Sequence, residues 1–474
     1  MSTTQTSDVS AKPIGHREIH PGLVLAILST ASFLAALDVW ITNVGLPAIG
    51  EGVHTSSFSD LSWVLNGYAI VYAALLVPGG RIADRFGRKG AFLTGMTIFA
   101  IASLGAGLSS DTWVLVGFRV LQAVGAAVLT PASLGLVLTT APPEKVSAYV
   151  KVWFTTGALA AAVGPVAGGL LIEASWRWLF LVNLPVIIVA FALAAVYVPA
   201  VRHDQETALP DLLGGFVLVV SVGALAFGLV KSTDYGWDSA EVVGSFVIAA
   251  VALVAFIARS QRHEAPIVQL SLFRSRVFTS ANLTTVMVSA SFSVVLLSVI
   301  LWLQGHWDYS AIRTGLATAP IPVMFITFAV AAETLQSKTR IRPAAIAGVG
   351  LAVTAIGILL MASALGEDPE YLRELFGPLI LIGAGFGASL PIAISSATVD
   401  LPPKDSATGS AVVSMSQQMG SVVGVSVLVA LLGAASQAAI RDDFRNAWIA
   451  AVVIAALGAA SGLGLNAHKS NSAG

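Results

Sequence analysis

Of the 26 acidic residues only Asp38 lies well inside an apolar run, FLAALDVWITNVGLP, and of the 25 lysines and arginines only Arg119 does. An ionised carboxylate held in such a setting without a partner costs several kcal/mol, so Asp38 must either take up a proton or meet a base. Depth places the two side by side. Asp38 lies about 24 Å along a helix starting near Gly22, and Arg119 about 9 Å into a helix running the opposite way, at roughly 1.5 Å per residue. In an apolar slab of about 30 Å both fall in the same third. Gln122 follows Arg119 by three residues and shares its helical face. A carboxylate that alternates between an arginine partner and a proton can couple a proton gradient to a second process. The competing reading is an ion pair that only fixes two helices.

Other chemistries find no support. The chain has no Cys, which removes thiolate catalysis, Cys-ligated zinc, iron-sulfur clusters and disulfides. Its histidines, His16, His20, His54, His203, His263, His306 and His468, all fall in termini or polar breaks, and only the His16/His20 pair has the i,i+4 spacing of a metal site. No metal is expected. The segment GAGFGA at 383–388 lies within an apolar span and opens no strand-to-helix turn, so it is not a phosphate loop. No nucleophile and base stand in a recognisable arrangement, and the reading is of a protein that is not an enzyme.

The elements that position Asp38 and Arg119 follow from composition. With 56% hydrophobic and 11% charged residues and a mean hydropathy of +0.84, the 474-residue chain is an all-α polytopic membrane protein. A net charge of -1 leaves no nucleic-acid footprint. Apolar stretches near 22–46, 60–80, 90–109, 113–139, 149–172, 178–198, 212–231, 242–259, 278–304, 312–333, 344–363, 375–398, 406–434 and 446–465 predict fourteen transmembrane helices. With both termini inside, eighteen lysines and arginines fall on the cytoplasmic side and six on the outer side, as the positive-inside rule requires. The start of the chain reads as a cytoplasmic tail without a removable signal. Alanine richness with Arg in excess of Lys points to a high-GC bacterium, and so to its cell membrane.

A repeat appears at a shift of 260 residues: Leu121 matches Leu381, Gly125 matches Gly385, Pro131 matches Pro391, Pro142-Pro143 match Pro402-Pro403, and Gly164 matches Gly424. Two pseudo-symmetric six-helix halves, 22–198 and 278–465, therefore flank an inserted helix pair within 199–277, between tails at 1–21 and 466–474. Such halves imply alternating access, with a small molecule held between them near the midplane. Ala31-Ser32-Phe33 match Ala290-Ser291-Phe292 at a shift of 259, which sets Leu297 opposite Asp38, and the shift of 260 sets Leu379 opposite Arg119, so the shared fold does not require the charges.

Polar and small residues then mark candidate faces. Ala31, Ala35, Asp38, Thr42 and Gly45 form one small, polar stripe that suits a water-filled cavity. In the second half Asn282, Thr285 and Ser289 form one such stripe, and Ser410, Ser414, Gln417 and Ser421 another. With Trp40, Thr42, Asn43 and Gln122, the residues Asn282, Thr285, Ser289, Ser414 and Gln417 are the candidate cavity lining, although hydroxyls and amides serve equally as interhelical glue. Gly157, Ala161, Gly164 and Gly168, beside Pro165, allow close helix approach and a bend.

The stretch Gly80-Arg81-Ile82-Ala83-Asp84-Arg85-Phe86-Gly87-Arg88-Lys89 closely resembles the signature loop of the major facilitator superfamily. Arg119, Gln122, Gly125, Ala126 and Ala127 resemble its second motif, with Ala123 where a glycine is usual. Gly157 through Gly164-Pro165 to Gly168-Gly169 resembles the motif of its antiporting members. Leu37-Asp38 with Asn43 and Leu46-Pro47, then Trp176-Arg177-Trp178 with Phe180, Asn183 and Pro185, and Glu264-x-Pro266 leading to Leu272-Phe273-Arg274, are similar to the fourteen-helix drug:proton antiporter branch, from whose pattern Trp40 and Gly45 depart. The resemblance implies that Asp84 rests against the start of a second-half helix near Asp405 and Ser406, and that Arg85, Arg88 and Lys89 complete a cytoplasmic charge lock. It further implies a proton-coupled antiporter exporting amphipathic or cationic organic compounds. The partners are then the small-molecule substrate, protons and the lipid bilayer, with no cofactor beyond the proton gradient and no obligatory protein partner. A narrow exporter of one endogenous metabolite or lipid-like product keeps the same fold, and a scaffold or sensor without turnover is the reading from a different class.

Overall fold

In a computed structural model the described residues are 21–55, 57–200, 210–339, 341–366, 368–399, 401–433 and 441–466, the side chains of 403–407 excepted. Both tails, with His16, His20 and His468, and also His203, lie outside them. Among the described residues there is no strand, as expected of a chain whose backbone groups must bond within their own segment once in lipid.

Among the described residues fourteen helices are long and apolar enough to cross a membrane. The first half holds α1 (Pro21–Gly52), α2 (Phe58–Phe86), α3 (Arg88–Leu108), α4 (Thr112–Thr140), α5 (Pro143–Ala174) and α6 (Trp178–Tyr197). The inserted pair is α7 (Leu212–Tyr235) and α8 (Ala240–Arg262). The second half holds α9 (Arg276–Gly305), α10 (Ala311–Lys338), α11 (Pro343–Ala364), α12 (Phe376–Val399), α13 (Thr408–Leu432) and α14 (Arg441–Leu465).

The helices begin where their caps dictate. Asp111 accepts from the amides of Trp113 and Val114 at the start of α4, and Ser239 and Ser275 do the same for α8 and α9. Two ends differ from those expected. α1 continues past 46 through Pro47 to Gly52, and α2 continues past 80 to Phe86, so most of the signature loop is helix. Hydropathy marks the apolar slab, and Arg81, Asp84 and Arg85 lie beyond it without disturbing backbone helicity. What stops α2 is Gly87, whose φ of 106° no other residue type adopts cheaply.

The repeat is visible in packing. A β-carbon on Gly125 of α4 would lie 3.0 Å from the Gly95 carbonyl of α3, and one on its counterpart Gly385 of α12 would lie 2.4 Å from the Gly350 carbonyl of α11. The same pair of helices in each half is thus brought into backbone contact by glycine.

The inserted pair bridges the halves along one side, because α7 packs on both α2 and α13. Lys231 of α7 fastens it to the first half, donating to Asp60 and to Asp234 at 2.7 Å each. At the other end Arg259 of α8 meets the buried Asp211 at 2.7 Å, and Asp211 also caps α7. The outer face of α8, with Val247, Val251 and Val254 exposed, is apolar.

At the end of the bundle remote from the chain termini the halves close on each other. Gln304 of α9 donates to the Val44 carbonyl of α1 at 3.1 Å. Alongside, α5 and α10 meet through glycines: a β-carbon on Gly169 would lie 2.6 Å from Ile312 Cα, and one on Gly315 would lie 2.3 Å from the Pro165 carbonyl.

Candidate functional site

Asp38, 0% exposed, and Arg119, 1% exposed, form a direct ion pair between α1 and α4 through Asp38 Oδ2 and Arg119 Nη1. Burial of this kind is tolerated only where the remaining polar atoms are also satisfied, and here they are. Gln122 Nε2 donates to Asp38 Oδ1 at 2.7 Å and Asn183 Nδ2 of α6 to the same oxygen at 3.3 Å. Gln122 also holds Ser103 of α3 at 3.0 Å, and its own oxygen accepts from Arg119 at 2.7 Å. Arg119 Nε donates to the Val64 carbonyl of α2 at 3.0 Å, while the guanidinium lies 4.4 Å from the centre of the Tyr68 ring. Five of the six helices of the first half therefore converge on one carboxylate. A proton added to it would cancel the charge that holds Arg119 and Gln122 in place.

Beside this cluster, between the halves, is a cavity of about 460 Å³. That is within the range of roughly 300–1,000 Å³ that houses drug-sized molecules. Arg119 belongs to both the ion pair and the cavity wall. Of the residues expected in the lining, Trp40, Asn43, Ser289, Ser414 and Gln417 are there, as is Ser421. Thr42, Gln122, Asn282 and Thr285 are not among its lining residues. Thr42 turns its hydroxyl to the Asp38 carbonyl at 2.6 Å, and Gln122 is consumed by the ion pair. Asn282 joins α9 to α13 by accepting from Ser416 at 2.8 Å, and Thr285 is fully buried. Ser410 is exposed.

The α1 stripe is corrected in the same way. Ala31, Asp38, Thr42 and Gly45 turn into the first half, where Gly45 abuts Leu179, while Ala35, alone of the expected stripe, lines the cavity together with Ser32, Ala36, Trp40 and Asn43. The reason is the ion pair, which draws that face of α1 toward α4 and α6. The glycines of α5 serve the same helix: β-carbons at Gly157, Gly164 and Gly168 would meet Ser32 Oγ at 2.5 Å, Trp40 Cβ at 2.5 Å and Ile41 Cα at 3.2 Å. Sequence reasoning left Asn66, Tyr68, Tyr72 and Trp153 out of the lining, and Ser103 out of the ion-pair cage. An amide and two phenols in the run WVLNGYAIVYAALL were the available signal.

Asp84, Arg88 and Lys89 of the signature segment make bonds within the first half. Arg88 Nε meets Asp84 at 2.7 Å and its Nη1 donates to the Gly135 carbonyl of α4 at 2.7 Å. Lys89 donates to the Ala195 carbonyl of α6 at 2.9 Å, Arg85 lies 5.9 Å from the Phe86 ring, and Gly80 faces Pro131. Asp84 was expected to rest against the start of the helix near Asp405 and Ser406, whose side chains lie outside the described residues.

A two-halved helical bundle closed at one end around a central cavity, with a buried ion pair that reaches the cavity wall through Arg119, defines a membrane carrier. The chain belongs to the Major Facilitator Superfamily, whose family model matches residues 28–425. It is 29% identical over 445 residues to the tetracenomycin C resistance and export protein of Streptomyces glaucescens, covering 94% of this chain and 81% of that one. It is 33% identical over 425 residues to the lincomycin resistance protein of Streptomyces lincolnensis, covering 86% and 84%. In fold it is similar to a bacterial homolog of the human lysosomal transporter Spinster in an inward-facing, unoccupied conformation, with a TM-score of 0.68, 17% identity, and 95% and 98% of the two chains covered.

Proposed function

We propose that this carrier is a proton-coupled antiporter that exports amphipathic organic compounds, antibiotics among them, across the plasma membrane of a bacterium. The observation that carries the reading is the buried Asp38–Arg119 pair in contact with the central cavity. An ionisable group so placed is costly, and the second half manages without one at Leu297 and Leu379. The resistance and export functions named for the relatives support the direction and the class of cargo. The excess of basic residues on one side supports cytoplasmic termini. On that orientation the sealed end faces outward, the arrangement in which cargo is collected from the cytoplasm. No nucleotide or other cofactor enters the cycle, and the proton gradient alone drives it.

A narrower reading is favoured by the relatives' own names, each of which carries one antibiotic: a dedicated exporter of a single product. Proteoliposomes with an imposed proton gradient and a panel of unrelated compounds test both. Uphill movement of several compounds with matching proton release supports broad export, and of one compound the narrow form. Gradient-independent movement of every compound would sink the antiport reading.

A further inference from the structure

The cavity wall, as distinct from the ion pair behind it, has its own chemistry. Among the described lining residues there is no carboxylate, and Arg119 is the sole charged group. Its partner Asp38 is outside the lining, with Oδ2 on Arg119 and Oδ1 shared by Gln122 and Asn183. Nothing in the wall can serve as counter-ion to a positive cargo. Ring faces do attract cations, but that attraction replaces only part of the hydration a cation loses, and here it would act next to a guanidinium.

What the wall offers instead is aromatic surface and unspent polar atoms. Trp40 of the first half meets Phe292 of the second edge to face at 5.7 Å, and Phe292 meets Phe386 in the same manner at 5.2 Å, so rings from both halves form one continuous surface. Three lining residues hold a buried polar atom with no hydrogen-bond partner: Asn66 Oδ1, Tyr68 Oη and Ser289 Oγ. Buried polar atoms are nearly always paired, so three orphans in one cavity wall call for a partner that comes and goes. Asn66 is tied through its nitrogen to Ser426 of α13 at 3.2 Å, which leaves its oxygen to accept, while hydroxyls both give and accept.

We propose that the cargo is an uncharged aromatic compound bearing hydroxyl or carbonyl oxygens, stacked on the Trp40–Phe292–Phe386 surface and hydrogen-bonded by Tyr68 and Ser289, and that organic cations are poor cargo. The proposal rests on the carrier reading and names its substrate class.

Equilibrium dialysis of the purified full-length protein in detergent, with protein-free micelles as blank, tests it with three probes: 1,8-dihydroxyanthraquinone, anthracene, which has the same three rings and no oxygen, and tetraphenylphosphonium. The dihydroxy compound is expected to bind at least about tenfold more tightly than the phosphonium ion. Tyr68→Phe combined with Ser289→Ala should weaken the dihydroxy compound by about fivefold or more and leave anthracene, which has no oxygen to bond, unchanged, which also shows that the variant is folded. Phosphonium binding as tight as that of the dihydroxy compound, or a double variant that binds the dihydroxy compound like the parent, overturns the proposal. Binding needs no gradient, so the two readings fail separately. A protein that binds the quinone yet never builds a gradient refutes antiport alone, and one that pumps tetraphenylphosphonium uphill while binding the quinone poorly refutes the cargo class alone.

Discussion

Arg119 holds Asp38 within the first half, and the two positions that the internal repeat sets opposite them, Leu297 and Leu379, are fully buried leucines. One half of a near-symmetric machine therefore carries a charge pair that the other replaces with packing. Since a fold that needs such a pair for stability would need it twice, the asymmetry favours the first half as the seat of the proposed coupling step.

Asp38→Asn keeps the shape of the side chain and removes its proton. Active efflux and cargo-induced proton release should vanish in proteoliposomes, while downhill exchange of cargo persists. A variant that still builds a cargo gradient from a proton gradient would move the coupling role to another acid, Glu333 or Asp211 being the candidates.

Removing the base instead leaves an uncompensated buried charge. Arg119→Ala should lower stability by about 3–5 kcal/mol, and adding Asp38→Asn should recover a large part of that loss. Thermal unfolding of the two single variants and the double variant in detergent gives the comparison. Losses that simply add would show that the two side chains do not act as a pair.

Asp84 and Arg88 form a partly exposed pair worth no more than about 1 kcal/mol, so Asp84→Asn should leave insertion and fold intact. It should weaken the cytoplasmic lock and favour the state seen here, with the outer end closed. Thr314, fully buried beside that closure, supplies a reporter in a chain free of cysteine. Thiol labelling of Thr314→Cys from outside should fall when Asp84→Asn is added, and an unchanged rate would argue against the lock.

Gly169→Ala should act in the opposite sense. Its β-carbon would meet main-chain atoms of Ala311 and Ile312 at 2.6–2.8 Å, a clash that backbone cannot sidestep. Overpacking of this kind typically costs about 1–3 kcal/mol, here charged only to the closed state. Labelling of Thr314→Cys should rise several-fold and net export should slow. If labelling stays at the parental rate, the α5–α10 contact is not the outer seal.

The fourteen spans were legible because a bilayer imposes one crude rule, a long apolar run, and α3 and α4 were placed almost to the residue by it. Helix ends were less so: α1 and α2 run past their apolar stretches because hydrophobicity measures the slab and not the backbone. The approach of Asp38 to Arg119 followed from depth alone. Which face of α1 meets the cavity did not, because a stripe containing Asp38 reads as water-facing until a partner in the same half claims it, and that partner's azimuth is a tertiary fact. Tyr68 and Asn66 were overlooked for a related reason. Uncharged polar groups inside a span cost far less than charged ones, so the amide and phenols of α2 are a weak signal beside Asp38 and Arg119.

The contact of α5 with α10 at Gly169 and Gly315 is main chain against main chain, with no side chain between. Each atom pair there contributes only about 0.1–0.2 kcal/mol, yet the fit leaves no room for a water file. Close fit and weak attraction are thereby combined at this contact, which suits a seal that has to part once in every transport cycle. Which way the protein faces at any moment is then left to the groups that change charge.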